Sequence, residues 1–262
     1  MAQKVQSPEL SIALQAAEAA AKICRANYGR EIAVDTKPDM TPVTRVDVEC
    51  EKAIRTLILE AFPDHGFHGE ESGRSGAGAE NVWLVDPIDG TKSFIRGYPF
   101  FSTQIALLRG DDIVLGVSCG MMFDELAWAE RGCGAWLNGE RIRVSDIDDL
   151  EQATISTGNL RSLAKSKDGW PRLGELVARA WRTRGYGDFY HYHLLAAGKI
   201  EAVIESDVDI LDIAAVSVIV EEAGGVFTDL NGQRPGMDSR SVLAANAALH
   251  ATYLAQLEGS VD

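Results

Sequence analysis

Basic runs, paired cysteines and long apolar stretches are all missing from this chain of 262 residues. Lys and Arg number 25 against 39 Asp and Glu, a formal charge of −14. Such a surface repels a nucleic-acid backbone or an anionic membrane, so neither is expected as a partner. It leaves room for a small phosphorylated substrate, because a bound cation reverses the local field. The four cysteines, Cys24, Cys50, Cys119 and Cys133, stand far apart with no C-x-x-C pair. A disulfide framework is therefore not expected, and a reducing, cytoplasmic setting fits better. No apolar run reaches membrane-spanning length, and Ser11 to Ile23 is interrupted by Gln15, Glu18 and Lys22, so no signal-peptide core is expected. Internal repeats and low-complexity segments are absent too. What is present is ordinary for a globular protein, 46% apolar and 24% charged, enough for one large domain or two modest ones sharing a site.

The densest chemistry lies in Trp83-Leu84-Val85-Asp86-Pro87-Ile88-Asp89-Gly90-Thr91-Lys92. Val82 to Val85 predict a buried strand that carries Asp86 to its C-terminal edge. Pro87 lacks an N–H and biases Asp86 towards extended geometry, so a turn is expected there. Asp89 then falls where a helix N-cap would be, with Gly90 to Ser93 as the first turn. Two carboxylates beside a helix start offer oxygen ligands to a hard cation and N–H groups to a phosphate. Asp-Pro and Asp-Gly are also common turn dipeptides, so this stretch needs support from elsewhere.

Along the chain, Pro8 to Tyr28 has helical spacing with Ser7 as N-cap and Pro8 at the first position. Thr41-Pro42-Val43-Thr44-Arg45-Val46-Asp47 leads into a second helix ending near Phe62, with Asp47 in its first turns. Pro63 to Glu80 is polar and Gly-rich and is read as a surface loop that can move, carrying His65, His68 and Gly69-Glu70-Glu71-Ser72. The spacing of the two histidines is too weak to carry a metal site. Runs from Ser102 to Ala129 predict a mostly antiparallel sheet, and the acidic, non-periodic Asp146 to Gln152 is the best boundary, dividing residues 1–146 from 147–262. The second half alternates strands and helices, which suggests α/β layering.

These motifs together resemble the signatures of the inositol-monophosphatase family, magnesium-dependent phosphomonoesterases, over nearly the whole chain from about Ser7 to Leu257. Leu211-Asp212-Ile213-Ala214-Ala215 with Glu221-Glu222-Ala223-Gly224-Gly225 resembles the second family signature, although Leu211 stands where the family has Trp. The resemblance implies an α/β (α+β) chain folded as a layered α/β/α/β/α sandwich, with metals at the seam between the halves, and a homodimer. It implies two or three Mg2+ ions (Mn2+ as an alternative) held by Glu70, Asp86, Asp89, Asp212 and the Ile88 carbonyl, and a water oriented by Thr91, Asp47 and Glu70. All-oxygen ligation favours these ions over Zn2+. Asp47 is expected to bond Thr91, and Lys37 to support the phosphate end. Ile88, Asp89, Gly90, Thr91 and Asp212 would also meet the substrate.

Specificity is expected from Arg184-Gly185-Tyr186-Gly187-Asp188-Phe189, which resembles the branch hydrolysing L-histidinol phosphate, the penultimate step of histidine biosynthesis. Asp188 and Glu205 could pair with a substrate ammonium, with Arg184 beside them. On their own, Arg184 could be an edge-strand cation and Asp188 a helix cap. The alternatives are an inositol-1-phosphate or broad sugar-phosphate phosphatase and, from another class, a non-catalytic regulator that only binds a phosphorylated ligand.

Overall fold

The computed structural model describes residues 7–38 and 40–257. Helix α1 (Pro8–Asn27) starts where its caps dictate: the Ser7 hydroxyl accepts from the Leu10 N–H at 3.1 Å, and Pro8 sits in the first turn. A ribbon of β1 (Val34–Thr36) and β2 (Pro42–Thr44) leads into α2 (Arg45–Ala61). The buried stripe of α1, rich in alanine, lets α2 approach closely, and Cys24 Sγ and Cys50 Sγ stand 3.6 Å apart as free thiols.

Eight strands follow: β3 (Gly66–Gly69), β4 (Gly73–Ser75), β5 (Asn81–Asp89), β6 (Ser102–Arg109), β7 (Asp112–Gly120), β8 (Glu125–Glu130), β9 (Ala135–Leu137) and β10 (Glu140–Ile142). They form one sheet in the order β10-β9-β8-β7-β6-β5-β3-β4, antiparallel except for the β3–β5 pair. Helix α3 (Thr91–Arg96) lies between β5 and β6. The segment 63–80, expected to be a surface loop, instead contributes two strands, and Phe67 within it is fully buried. Its glycines misled the composition argument. A Cβ on Gly69 would lie 2.3 Å from Glu51 Oε2, so that glycine serves close packing and not looseness.

The second sheet holds β11 (Thr154–Thr157), β12 (Arg182–Arg184), β13 (Ala202–Ser206), β14 (Gly225–Thr228) and β15 (Ser241–Asn246), in the order β12-β11-β13-β15-β14. Helices α4 (Arg161–Lys165), α5 (Gly169–Arg179), α6 (Asp188–Ala196), α7 (Ile210–Glu222) and α8 (His250–Leu257) complete the chain. One core joins α1 and α2 to the large sheet, a second places α6 and α7 between the sheets, and a third covers the far face of the small sheet with α5 and α8. This is the expected α/β/α/β/α sandwich. Among the described residues no helix is long and apolar enough to cross a membrane.

Helix α7 is apolar on every side because it is buried between two sheets. It lies so close to β7 that a Cβ on Gly116 would fall 2.2 Å from the Ala215 carbonyl oxygen. Gly116→Ala is therefore expected to cost about 1–3 kcal/mol by overpacking, lowering Tm by about 5 °C in a calorimetric scan. An unchanged Tm would show that the helix can shift at no cost.

Candidate metal centre

Two aspartates three residues apart would normally point to opposite faces of a strand. Here β5 pairs Asp86 with Gln104 and Asp89 with Ser102, so three steps on β5 match two on β6, and the register breaks between the aspartates. That bulge brings both carboxylates to the α6/α7 side of the sheet. Asp86 Oδ1 accepts from the Ile88 N–H at 2.9 Å, closing a local turn across Pro87. Asp89 is the last residue of β5 and not a helix cap. Gly90 occupies the cap with φ 93°, and a Cβ there would lie 2.7 Å from the Phe100 carbonyl oxygen.

Asp212 arrives from the start of α7. Asp209 is the N-cap, and Asp212 is the third helical residue, its Oδ2 accepting from the Asp209 N–H at 2.8 Å in a capping box. The ligand oxygens of Asp86, Asp89 and Asp212 lie within 4.8 Å of one another, a grouping that could hold a metal ion. Asp86 is only 3% exposed. Burial, then the charges of Glu70, Asp89 and Asp212, hold its carboxyl well above the ordinary range. Asp89 is raised likewise by burial and by Asp212, Asp188 and Glu205, against the Ser102 hydrogen bond. Asp212 is pushed up to about 7, chiefly by burial, against its bond from the Asp209 N–H and with the charges of Asp209, Glu70 and Glu205 adding to the rise. Each carboxyl of the cluster therefore resists ionisation beside the others, and a proton or a cation relieves that cost.

Glu70 follows β3, held there by the Glu70 N–H to Val85 carbonyl bond of 3.1 Å. Its Oε1 accepts from Lys37 Nζ at 2.7 Å, while Glu71 takes the same ammonium at 2.8 Å. Burial opposes the charge on Lys37, but these two bonds outweigh it and raise its pKa. Glu51, which the sequence reading passed over, holds this turn from α2. Its two oxygens accept from the Glu71 and Ser72 N–H groups at 2.7 and 2.8 Å. One turn earlier on α2, the fully buried Asp47 accepts from Thr91 Oγ1 at 3.2 Å, the contact the resemblance implied. Asp47 Oδ2 also takes the Thr44 N–H and hydroxyl at 2.8 and 2.6 Å, and Ile88 O lies 3.1 Å from Thr91 Oγ1.

Asp188 is the first residue of α6 in a left-handed conformation, φ 47°, which a non-glycine residue adopts under strain. Gly187 holds the cap position, and burial with the Glu205 charge pushes the Asp188 carboxyl to about 6, His191 opposing. Glu205 on β13 is 4% exposed. Its oxygens meet the Asn159 N–H at 3.1 Å, the Tyr192 hydroxyl at 2.8 Å and His191 Nε2 at 3.3 Å. Burial works against its charge, yet His191 and these bonds leave its pKa below the ordinary value. His191, Tyr192 and Asn159 were not singled out from sequence. The one available signal was that His191 lies three positions from Asp188, on the same helix face. Arg184 is exposed on β12 and donates to the Thr183 carbonyl at 2.7 Å. His65 and His68 lie outside the carboxylate grouping; His65 Nδ1 accepts from Trp83 Nε1 at 3.1 Å.

A family model described as the inositol monophosphatase family matches residues 5–262. A histidinol-phosphatase of Mycobacterium tuberculosis is 36% identical over 261 residues, covering 95% of this chain and 97% of that one. Another from Chlorobaculum parvum is 37% identical over 252 residues, covering 96% and 97%. Among solved structures, the extragenic suppressor protein suhB from Bartonella henselae superposes with a TM-score of 0.88 at 31% identity, covering 97% of this chain and 100% of that one.

Proposed function

The chain belongs to the inositol monophosphatase family and is a phosphoric monoester hydrolase, and on that premise we propose that it hydrolyses L-histidinol phosphate with Mg2+. The observation that carries the substrate reading is the pair of carboxylates, half-buried Asp188 and buried Glu205, near enough to Asp89 for both charges to raise its pKa. A neutral polyol has nothing to set against them, whereas the substrate's ammonium does. The similarity to two histidinol-phosphatases supports the same reading.

The residues present fit a hard divalent cation. Asp86, Asp89 and Asp212 supply only oxygen, and among the described residues no His or Cys joins the grouping. These three, with Glu70 and the Ile88 carbonyl, would hold Mg2+ or Mn2+, two or three per site. Bound there, the cation supplies Lewis-acid polarisation of the phosphate and a more acidic water. Thr91 donates its proton towards Asp47, which leaves lone pairs on Oγ1 to accept from a water and aim it in line with the ester bond. Glu70 adds a second acceptor beside it, its Oε1 held by Lys37 Nζ at 2.7 Å. Gly90 and Thr91 form the phosphate end, while Asp188 and Glu205 receive the ammonium, with Arg184 at the entrance edge. Residues 1–146 and 147–262 then act as two halves meeting at the site, in a cytoplasmic homodimer.

Phosphate release from L-histidinol phosphate and from myo-inositol 1-phosphate, each with Mg2+ and with EDTA, tests this reading. A Mg2+-dependent preference for histidinol phosphate is expected, and equal or inverted rates would sink the ammonium pocket while leaving the metal site standing. Asp188→Asn is expected to lower kcat/KM for histidinol phosphate by about tenfold to a hundredfold, the worth of one charge-assisted hydrogen bond. The inositol phosphate rate should hold or rise.

A further inference from the structure

We propose that Glu125, His193, Ser118, Gln104 and Ser102 form one directional hydrogen-bonded array that orients Asp89, making all five positioning residues for the cation site. The inference rests on Asp89 being a metal ligand, as proposed above.

The array crosses four neighbouring strands on one face of the large sheet. Ser102 and Gln104 share that face by the two-residue repeat of β6. Gln104 is register partner to Ser118 on β7, Gly120 two residues on is partner to Glu125 on β8, and Ser102 is partner to Asp89 on β5. His193 descends from α6 onto the row. Its Nδ1 lies 2.8 Å from Glu125 Oε2 and its Nε2 2.8 Å from Ser118 Oγ. Gln104 Nε2 reaches Ser118 Oγ at 3.1 Å and Ser102 Oγ at 2.8 Å, and Ser102 Oγ reaches Asp89 Oδ2 at 3.2 Å.

Proton counting sets the direction of every link. The Glu125 carboxylate only accepts, so His193 carries its proton on Nδ1 and offers Nε2 as an acceptor. Burial lowers the imidazole's pKa against the pull of Glu125, in keeping with a neutral ring. Ser118 must then donate to Nε2, which leaves its lone pairs for one amide hydrogen of Gln104. The other amide hydrogen occupies the lone pairs of Ser102, whose own proton goes to Asp89. The opposite amide orientation would turn Gln104 Oε1 to both serines and take the Ser102 proton away from Asp89.

Ser102, Gln104, Ser118 and His193 are each no more than 1% exposed. An apolar row would fill this space without a desolvation cost. Gln104 Oε1 also has no partner, so the orientation that serves Asp89 is kept at the expense of a buried acceptor. The same row ties α6, which begins at Asp188, to the metal loop. Such outer hydrogen bonds set the orientation of a ligating carboxylate and are typically worth 10–100-fold in metal affinity.

Titration of Mn2+ into the metal-free protein at neutral pH tests the array without turnover. Ser102→Ala and Ser118→Ala are each expected to weaken the tightest Mn2+ site about tenfold. Because both cut one chain, the double variant should lose no more than about tenfold as well. Gln104→Met, close in volume, removes the same link and should match them if Ser118→Ala folds poorly. Ser118→Ala and Gln104→Met binding Mn2+ as the parent does would overturn the array, as would single losses that multiply to about a hundredfold. A parent that takes up no Mn2+, or an Asp89→Asn variant that binds it unchanged, would remove the metal reading of Asp89 and the array with it. Parental uptake with an unaffected Ser118→Ala removes the array alone.

Discussion

Asp86→Asn is expected to lower kcat/KM by about a thousandfold and to abolish the tightest Mn2+ uptake. Asp86 is one of the three grouped carboxylates and is nearly inaccessible, so its charge faces the cation with little screening by solvent. A unit-charge pair at ~4 Å is worth roughly 4 kcal/mol at an effective dielectric of 20. At about 1.4 kcal/mol per tenfold, that is the thousandfold stated. Asn keeps the shape and can still accept from the Ile88 N–H, so the fold should survive. Steady-state kinetics at saturating Mg2+, with a thermal scan of the same preparation, check this. A loss below tenfold with an unchanged melt would remove Asp86 from the cation site.

Asp212→Asn should inactivate the enzyme and yet stabilise the metal-free protein at pH 8. The carboxyl of Asp212 is pushed up to about 7 in the folded chain from an ordinary value of 3.8. The folded state thus binds this proton more tightly than the unfolded state, so stability is present at acid pH and is lost as pH rises between roughly 4 and 7. Above that window the ionised, uncompensated group costs about 4 kcal/mol, one pKa unit being ~1.4 kcal/mol. Removing its charge should raise the Tm of the EDTA-treated protein by on the order of 10 °C at pH 8 and by little at pH 5. Mg2+ should raise the Tm of the parent over the same window, because it takes the place of the missing proton. Melts of both proteins across this range, with and without Mg2+, decide the matter. A parent whose EDTA melt is no lower than that of Asp212→Asn at pH 8 would show that the cluster is not under electrostatic strain.

Much of the site could be read from the chain because local rules place its parts. Ser7-Pro8 starts α1 as capping requires, Asp47 and Thr91 meet as the resemblance implied, and Asp86 lies on a strand. Other local readings failed where two rules competed. Asp89 looked like a helix cap, but Gly90 holds that position. The Gly-rich segment 63–80 looked mobile, yet it supplies β3 and β4, and its Gly69 answers to packing against Glu51.

Residue identity and short-range spacing alone determined the family, the acidic oxygen donors and the layered α/β class, since caps, turns and period-two runs depend only on near neighbours. Tertiary structure decided what distant segments do to one another. A register break on β5 turns an i, i+3 pair into converging carboxylates, and α7, entering between the sheets, adds the third. Glu51 grips the Glu70 turn across 20 residues, and His193 reaches Ser118 across 75. No sequence period encodes these contacts, because sheet pairing and burial between layers bring together residues whose spacing along the chain carries no signal.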